Sequence, residues 1–372
     1  MKIAIISRSN LNDRVYWSGI IESIYSKLKS YKDLEIIKID KLNNSYRKLF
    51  ALKREYLKHT KKIKFDENYN EFISKNFAKQ IEKKLSKFKN IDFLLAFDLS
   101  LVAYLKVKIP IILWTDLLYS DYYDHYFKDY KISKETKKAI KQIEKKALIN
   151  CHRVLLSSTW ALNKGKSKYK DLFYKFRLHH FGPSLKSSFK KNQINKLILK
   201  RSKKKLSLIT LSVNWKRKGL DKVLKLNKLL NDKGLKTQVT IMGVKSKNVK
   251  YKNVKIINFV NKNNILGERT ISKNLIKSHF HILFSNSEAY GVSLVEANSR
   301  ALPNISFKVG GISQIVKKGI NGMLFKENVD LKFVANYIEK TFKNFKKYQS
   351  LSKSSYEEYK KRLSYEKIIP KF

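Results

Sequence analysis

Cysteine is nearly absent from this chain: Cys151 stands alone in 372 residues. A disulfide framework within the chain is thereby excluded, and a reducing compartment is expected. Proline and glycine are scarce too, at 4 and 12, too few for a collagen-like or low-complexity protein. No apolar run approaches the ~18–20 residues that span a bilayer. The opening Met1-Lys2-Ile3-Ala4-Ile5-Ile6-Ser7-Arg8 is charged too soon for a signal peptide and reads as a first strand. Metal-ligand patterns are missing as well. His125, His152, His179 and His180 lack ligand spacing, and one cysteine makes no zinc cluster. No metal and no cofactor are expected. The largest deficit is of negative charge. Against 81 Lys and Arg stand 30 Asp and Glu, a balance of +51.

What is present excludes a disordered basic tail, since 43% of the residues are hydrophobic and 12% aromatic. At this length two cores are expected rather than one. The charge itself admits two readings. Lysine codons are A-rich, so an AT-rich genome produces such a bias with no function attached. A field of this sign also draws polyanions such as an anionic membrane, a phosphorylated substrate or nucleic acid. Nucleic acid is the least favoured, because no platform of aromatics interleaved with cations can be identified.

Short apolar runs alternate with longer amphipathic stretches, the pattern of a parallel α/β fold. Strands are expected over 3–7, 34–39, 93–97, 109–114, 154–157 and 176–181. A second series covers 206–213, 238–242, 254–259, 282–284 and 304–306. Helical periodicity is clearest over 19–28, 134–149, 220–231, 292–300 and 332–345. The polar, lysine-rich stretch 183–205 reads as a linker between two Rossmann-like lobes. The last stretch, 350–372, is helical in pattern and is expected to cross back onto the first lobe.

The chemistry concentrates in Ser285-Asn286-Ser287-Glu288-Ala289-Tyr290-Gly291-Val292-Ser293-Leu294-Val295-Glu296. A buried strand ends there, a polar loop follows, and a helix opens near Gly291. A helix start exposes unpaired N–H groups and suits an anion. Glu288 and Glu296 frame the turn, and a carboxylate can accept both hydroxyls of a ribose diol. The plainer alternative is that Glu296 pairs within its helix and Glu288 is solvated. Upstream, Asn214-Trp215-Lys216-Arg217-Lys218-Gly219 puts three cations where a strand meets a helix, which suits a diphosphate. Arg217 and Lys218 are expected to be exposed there. Downstream, a strand leads into Gly310-Gly311, and Asn321-Gly322 makes another turn. In a parallel sheet these loops share the carboxyl edge, where open α/β folds bind ligands.

The order Asn-Trp-Lys-Arg-Lys-Gly, Ser-Glu-x-Tyr-Gly-x-Ser-x-x-Glu-Ala, Leu-Pro, Gly-Gly-Ile and Asn-Gly-x-Leu resembles the retaining GT-B glycosyltransferases of family 4. The spacing of Glu288 and Glu296 is that family's paired-glutamate motif. The resemblance implies two Rossmann-like lobes whose parallel sheets face a cleft, with a C-terminal helix crossing back. Residues 1–186, with 352–372, would form the acceptor-side domain, and 187–351 the nucleotide-sugar-binding domain. Arg217 and Lys218 would neutralise the departing diphosphate, Glu296 would bind the nucleotide ribose, and Glu288 would face the donor sugar. Asn214 belongs to the donor loop, the stretch Tyr290, Gly291, Val292 and Ser293 would hold sugar and phosphate, and Gly19 would let its loop approach the diphosphate. The sequence departs from the family at Arg300-Ala301, where a small residue and then glycine are usual, and at Val213, where an arginine is usual.

The implied partners are a nucleoside-diphosphate sugar and a glycan or lipid-linked acceptor, in cell-surface polysaccharide or glycolipid synthesis. Asp116, at a strand end of the first lobe, could orient the acceptor hydroxyl; a helix-capping role accounts for it equally. The stretch 45–64 reads as a helix with eight cations, one acid, and Leu49, Phe50, Leu52, Tyr56 and Leu57 on one broad side. Either it covers the first sheet with its cations in water, or it docks a cytoplasmic enzyme on an anionic membrane, which would suit a lipid-linked acceptor. The rival from another class is a basic binding protein, for membrane or nucleic acid, whose GT-B lobes have lost catalysis.

Overall fold

A computed structural model describes residues 1–128, 130–186, 188–245 and 252–371. The chain forms two compact units. One joins Met1–Tyr16 to Ile24–His180; the other joins Trp17–Ser23 to Phe181–Phe372. Ser187, on which the expected domain boundary falls, and Phe372 lie outside the described residues.

The strands, in chain order, are β1 (Lys2–Ile6), β2 (Glu35–Ile39), β3 (Ile63–Lys64), β4 (Phe93–Ala96), β5 (Ile111–Thr115), β6 (Lys131–Ile132), β7 (Arg153–Leu156), β8 (Phe176–Leu178), β9 (Leu206–Leu211), β10 (Thr237–Met242), β11 (Val254–Ile257), β12 (Phe280–Leu283), β13 (Asn304–Phe307) and β14 (Gly322–Phe325). The first unit holds a six-stranded sheet in the order β2-β1-β4-β5-β7-β8, with the short pair β3-β6 beside it. The second holds a six-stranded sheet in the order β11-β10-β9-β12-β13-β14. Every strand pairing among the described residues is parallel. Parallel strands are covered on both faces, which is why the central ones are apolar throughout rather than alternating. Ile3, Ala4, Ile5 and Ile6 are all buried, as are Phe280, Ile282 and Leu283. Two Rossmann-like lobes with parallel sheets are the GT-B architecture.

Several elements differ from the sequence reading, and the strands expected over 176–181 and 206–213 stop at Leu178 and Leu211. The presumed linker contains a helix, Lys191–Leu199, because Ile194 and Ile198 are four apart and bury on one side. The Asn321-Gly322 turn leads into a sixth strand, β14, paired in register with β13. The strand expected over 254–259 stops at Ile257.

The C-terminal helices cluster in the second unit, where they share neighbours with Trp17–Ser23 from far upstream in the chain. Lys186 ties this unit together by pairing with the buried Glu22 at 2.7 Å. The buried Arg201 guanidinium closes the base of the unit. It donates to the carbonyls of Ile276, Arg300 and Ala301 and to the hydroxyls of Tyr348 and Ser352.

Candidate functional site

The site lies on the carboxyl edge of the second sheet, where β9, β12 and β13 run side by side. Backbone bonds lock their loops together. The Asn286 amide donates to the Arg217 carbonyl (2.9 Å), and the Gly311 amide to the Glu288 carbonyl (3.0 Å). Two glycines make this close packing feasible. Gly219 has φ +63°, and a Cβ on it would meet the Phe284 carbonyl oxygen at 2.2 Å. Gly291 has φ +93°, and its Cβ would press on Leu294 at 2.9 Å. Gly219 excludes a side chain on conformational and steric grounds, whereas at Gly291, where the Leu294 side chain can shift, the left-handed backbone is the obstacle.

Within the first loop Asn214 acts as a local brace. Its Oδ1 accepts from the Arg217 amide (2.9 Å), and its carbonyl accepts from the Lys218 amide (3.2 Å). Arg217 and Lys218 then converge on Glu288. Lys218 Nζ donates to Glu288 Oε2, and Arg217 Nη1 lies 3.5 Å from the same oxygen and 3.1 Å from the Ser287 carbonyl. Ser285 Oγ adds a weaker contact at 3.4 Å. Burial opposes charge on Glu288, but Lys218 and Arg217 outweigh it and hold the carboxyl below its ordinary value. Burial likewise lowers the Lys218 ammonium, against the pull of Glu288.

This corrects one expectation. Lys218 is not an exposed cation: it is only 8% exposed, because Gly219 draws its backbone against Phe284. Glu288 is not solvated either.

Glu296 is 2% exposed and held by residues from distant segments. Ser184 Oγ donates to its Oε1, and Lys262 Nζ donates to the same oxygen at 2.7 Å. Three cations (Arg217, Lys218, Lys262) thus face two carboxylates, which leaves net positive charge for an anion. The helix Val292–Asn298 has only seven residues, too few to build much of a macrodipole. The side-chain cations therefore dominate the local field. Val292 is the first residue of that helix, and the buried Ser293 Oγ has no hydrogen-bond partner, so it can donate to a ligand.

The other expected residues lie as follows. Tyr290 is buried and spends its hydroxyl on the Phe181 carbonyl (2.6 Å), with its ring edge-on to Phe181; it packs the loop. Gly19 closes a left-handed turn in which Trp17, Ser18 and Gly19 have φ of 50°, 56° and 83°. For the two non-glycine residues such backbone costs about 1–3 kcal/mol each, so surrounding contacts must enforce it. Ser18 supplies one, its carbonyl accepting from Lys262 at 3.3 Å. Asp116 follows β5 in the first unit, half-buried, and its carbonyl accepts from Ser157 Oγ at 3.5 Å.

The structure also accounts for a departure from the family pattern. Ala301 takes φ +52°, the left-handed conformation for which glycine is usual. Arg300 beside it is buried, bonded to Ser272 and Ser299, and stacked on Phe189.

Sequence reasoning missed Lys262, Ser184 and His281. His281 lies on β12 beneath the site, bonded to Asn304 at 2.8 Å. Burial pushes it down to about 4, so it is neutral at physiological pH. Among the described residues, no group of His, Cys, Asp and Glu is placed to hold a metal ion.

Comparisons with known proteins bear on the fold and on the second half of the chain. Residues 191–358, which include both glutamates and the basic loop, match the family Glycosyl transferases group 1. An uncharacterized glycosyltransferase of Methanocaldococcus jannaschii is 37% identical over 82 residues, which is 20% of this chain and 23% of that relative. The match thus spans about a quarter of the curated relative's length. Among solved structures, sucrose-phosphate synthase from Thermosynechococcus elongatus superposes with a TM-score of 0.67 at 12% identity, covering 100% of this chain and 97% of that one. A glycosyltransferase from Rickettsia africae gives 0.63 at 16% identity, covering 100% and 96%. Anabaena HepE in complex with UDP-glucose gives 0.62 at 13% identity, covering 100% and 98%. At such identities the structures speak for the fold, GT-B. The family match itself is confined to residues 191–358, just under half of the chain.

Proposed function

We propose that the protein is a retaining glycosyltransferase. It moves a sugar from a nucleoside-diphosphate donor to a glycan or lipid-linked acceptor in cell-surface polysaccharide or glycolipid synthesis. The observation that carries this reading is the buried constellation on the second sheet's edge. Arg217 and Lys218 stand beside Glu288, and Glu296 stands behind the same turn. A basic scaffold that had lost catalysis would not need to bury cations against carboxylates at a ligand-binding edge, where each ion costs several kcal/mol to desolvate.

In this reading Glu296 takes the ribose and Glu288 faces the sugar. Arg217 and Lys218 offset the charge that develops on the diphosphate as the sugar–phosphate bond breaks, and a preorganised cation is most effective at that moment. Backbone amides at Gly291–Ser293 and the Ser293 hydroxyl complete the donor contacts. Asp116 orients the acceptor hydroxyl that takes over the anomeric carbon.

A membrane location is supported by the helix Arg47–Lys61, none of whose residues is buried. Leu49, Leu52 and Tyr56 are 70%, 83% and 57% exposed. At their spacing they make one outward stripe, with Lys48 and Lys53 beside it. Phe50 and Leu57 turn the other way, Phe50 toward Phe65. An apolar stripe bordered by cations suits an anionic lipid surface, which fits a cytoplasmic enzyme docked on a membrane that displays its acceptor. Among the described residues no helix is long and apolar enough to cross one.

The test is a thermal-shift screen against UDP, GDP, ADP and their sugars. A ligand of the folded state at a hundredfold its Kd adds about 2.7 kcal/mol. UDP-glucose goes first, since it was bound in the Anabaena neighbour. If none of these compounds raises the Tm, the donor reading fails.

A further inference from the structure

Lys262 lies in the loop between β11 and the helix Ile265–Lys277, and its ammonium reaches three segments of the second unit. It donates to Glu296 Oε1 at 2.7 Å, to Ser184 Oγ at 2.6 Å and to the Ser18 carbonyl at 3.3 Å. The pair is sheltered, the two side chains being 15% and 2% exposed. Ser184 in turn donates to that same Oε1. Both donors therefore use one oxygen of the carboxylate. A carboxylate offers about four lone-pair positions over two oxygens, so this arrangement fixes the group by one side and leaves Oε2 its acceptor capacity.

We propose that Lys262 is a positioning residue for the nucleotide ribose: with Ser184 it clamps Glu296 through Oε1 and so presents Oε2 to the sugar's vicinal hydroxyls. The inference rests on the donor reading above and adds to it a residue that sets selectivity for ribose over deoxyribose.

Lys262 is not needed to shape its own loop. The Asn263 amide donates to Asn261 Oδ1 (2.9 Å), and the Leu266 amide to Asn264 Oδ1 (2.8 Å). These turns hold the segment independently of the lysine. Ordering a lysine side chain costs up to ~2 kcal/mol, which the contact with Glu296 must offset. The Ser18 contact adds a consequence. The same ammonium that orients Glu296 also steadies the left-handed turn 17–19, so the ribose carboxylate and the Gly19 turn are braced by one group.

Calorimetry on the full chain decides the matter. UDP, GDP and ADP are titrated into the wild type, and the tightest is compared with its 2′-deoxy form. The wild type is expected to prefer the ribonucleotide by tenfold or more, as for a lost hydrogen bond to a charged group. Lys262→Met is expected to weaken the ribonucleotide about tenfold and the deoxy form, which keeps its 3′-hydroxyl and its diphosphate, by clearly less, so that the preference shrinks. Ser184→Ala is expected to shift it the same way by less, and Lys262→Arg to restore it in part.

Equal weakening of both nucleotides by Lys262→Met would overturn the proposal, since a phosphate contact or a general brace would do that. Unchanged preference in both Lys262→Met and Ser184→Ala would overturn it too. Should Lys262→Met not fold by circular dichroism, the ribose preference of Ser184→Ala alone decides: a reduced preference supports the clamp, and an unchanged one overturns it. The donor reading fails separately: Glu296→Ala that keeps full affinity for every nucleoside diphosphate removes the ribose site, and Lys262 with it.

Discussion

Two helices of this molecule carry or border most of what its sequence makes conspicuous, and they are opposites. The helix Val292–Asn298 has seven residues, buried from Ser293 to Asn298, and the carboxylates Glu288 and Glu296 beside it are each paired with a cation at close range. The helix Arg47–Lys61 has fifteen residues with none buried. Its charges pair at the surface, Lys53 with Glu135 and Lys58 with Glu55. The sequence marks both as charged, but burial divides them. A cation beside Glu288 works in a low dielectric, where charge is costly to place and strong in effect. A cation on the outer helix is screened within roughly 8 Å at physiological ionic strength, so it can act only collectively and only on a large anionic surface.

The sharpest way to break that contrast is to remove one buried partner. Lys218→Ala removes the closest partner of the buried Glu288 and leaves it only Arg217 at 3.5 Å, which should cost up to about 3–5 kcal/mol of stability. Urea unfolding measures it, and Lys218→Met combined with Glu288→Met should recover much of the loss. A Lys218→Ala variant as stable as the wild type would show that the pair is solvated after all. Arg217→Ala separates catalysis from folding, because its side chain is 28% exposed. Turnover should fall about 100-fold, as for a lost transition-state donor, with a much smaller change in urea midpoint. Turnover within about twofold of wild type, small beside that ~100-fold, would remove Arg217 from the reaction.

The buried pair also has a pH signature. The folded Glu288 carboxyl is held below its ordinary value, so the unfolded chain takes up the proton more readily as pH falls. Its contribution to stability is complete above the unfolded carboxylate pKa and is lost as pH drops through the lower, folded one. Thermal melts of Glu288→Gln should therefore show a shallower acid limb than the wild type, together with a lower Tm at neutral pH. Parallel acid limbs in the two proteins would mean that other carboxylates govern acid unfolding.

Much of the fold was legible because parallel strands are nearly continuous apolar runs and the helices between them are amphipathic. The edge strand β14 was not. Its four residues begin at Gly322, directly after Asn321, and only pairing with β13 makes them a strand. The paired glutamates and the basic loop were legible as local motifs with fixed spacing. Their burial was not, since it depends on the backbone approach of Gly219 to Phe284. Lys262 is the clearest loss. It is one of 70 lysines, and its partners at 18, 184 and 296 are brought to it only by the tertiary fold. The outer helix shows the converse limit. Its five apolar residues read as one broad side, whereas the structure turns Phe50 and Leu57 inward and leaves Leu49, Leu52 and Tyr56 outward.

That division gives the prediction with the smallest effect on the fold and a large one on location. Replacing Leu49, Leu52 and Tyr56 by serine removes exposed side chains, so each change should alter stability by no more than about 0.5 kcal/mol. Neutralising Lys48, Lys61 and Lys62 to glutamine should cost as little, since these cations sit on the exposed surface. Near an anionic leaflet each cation contributes on the order of 1 kcal/mol, and the apolar stripe adds what it buries in the headgroup region. Co-sedimentation with vesicles rich in phosphatidylserine or phosphatidylglycerol should capture the wild type at low salt and release it at high salt. The leucine and tyrosine variant should bind more weakly at every salt concentration, while the lysine variant should lose mainly the salt-dependent part. Nucleotide affinity in the second unit should stay unchanged in both. A wild type that remains in the supernatant at low salt would end the membrane reading, and the +51 balance would then be left to codon usage.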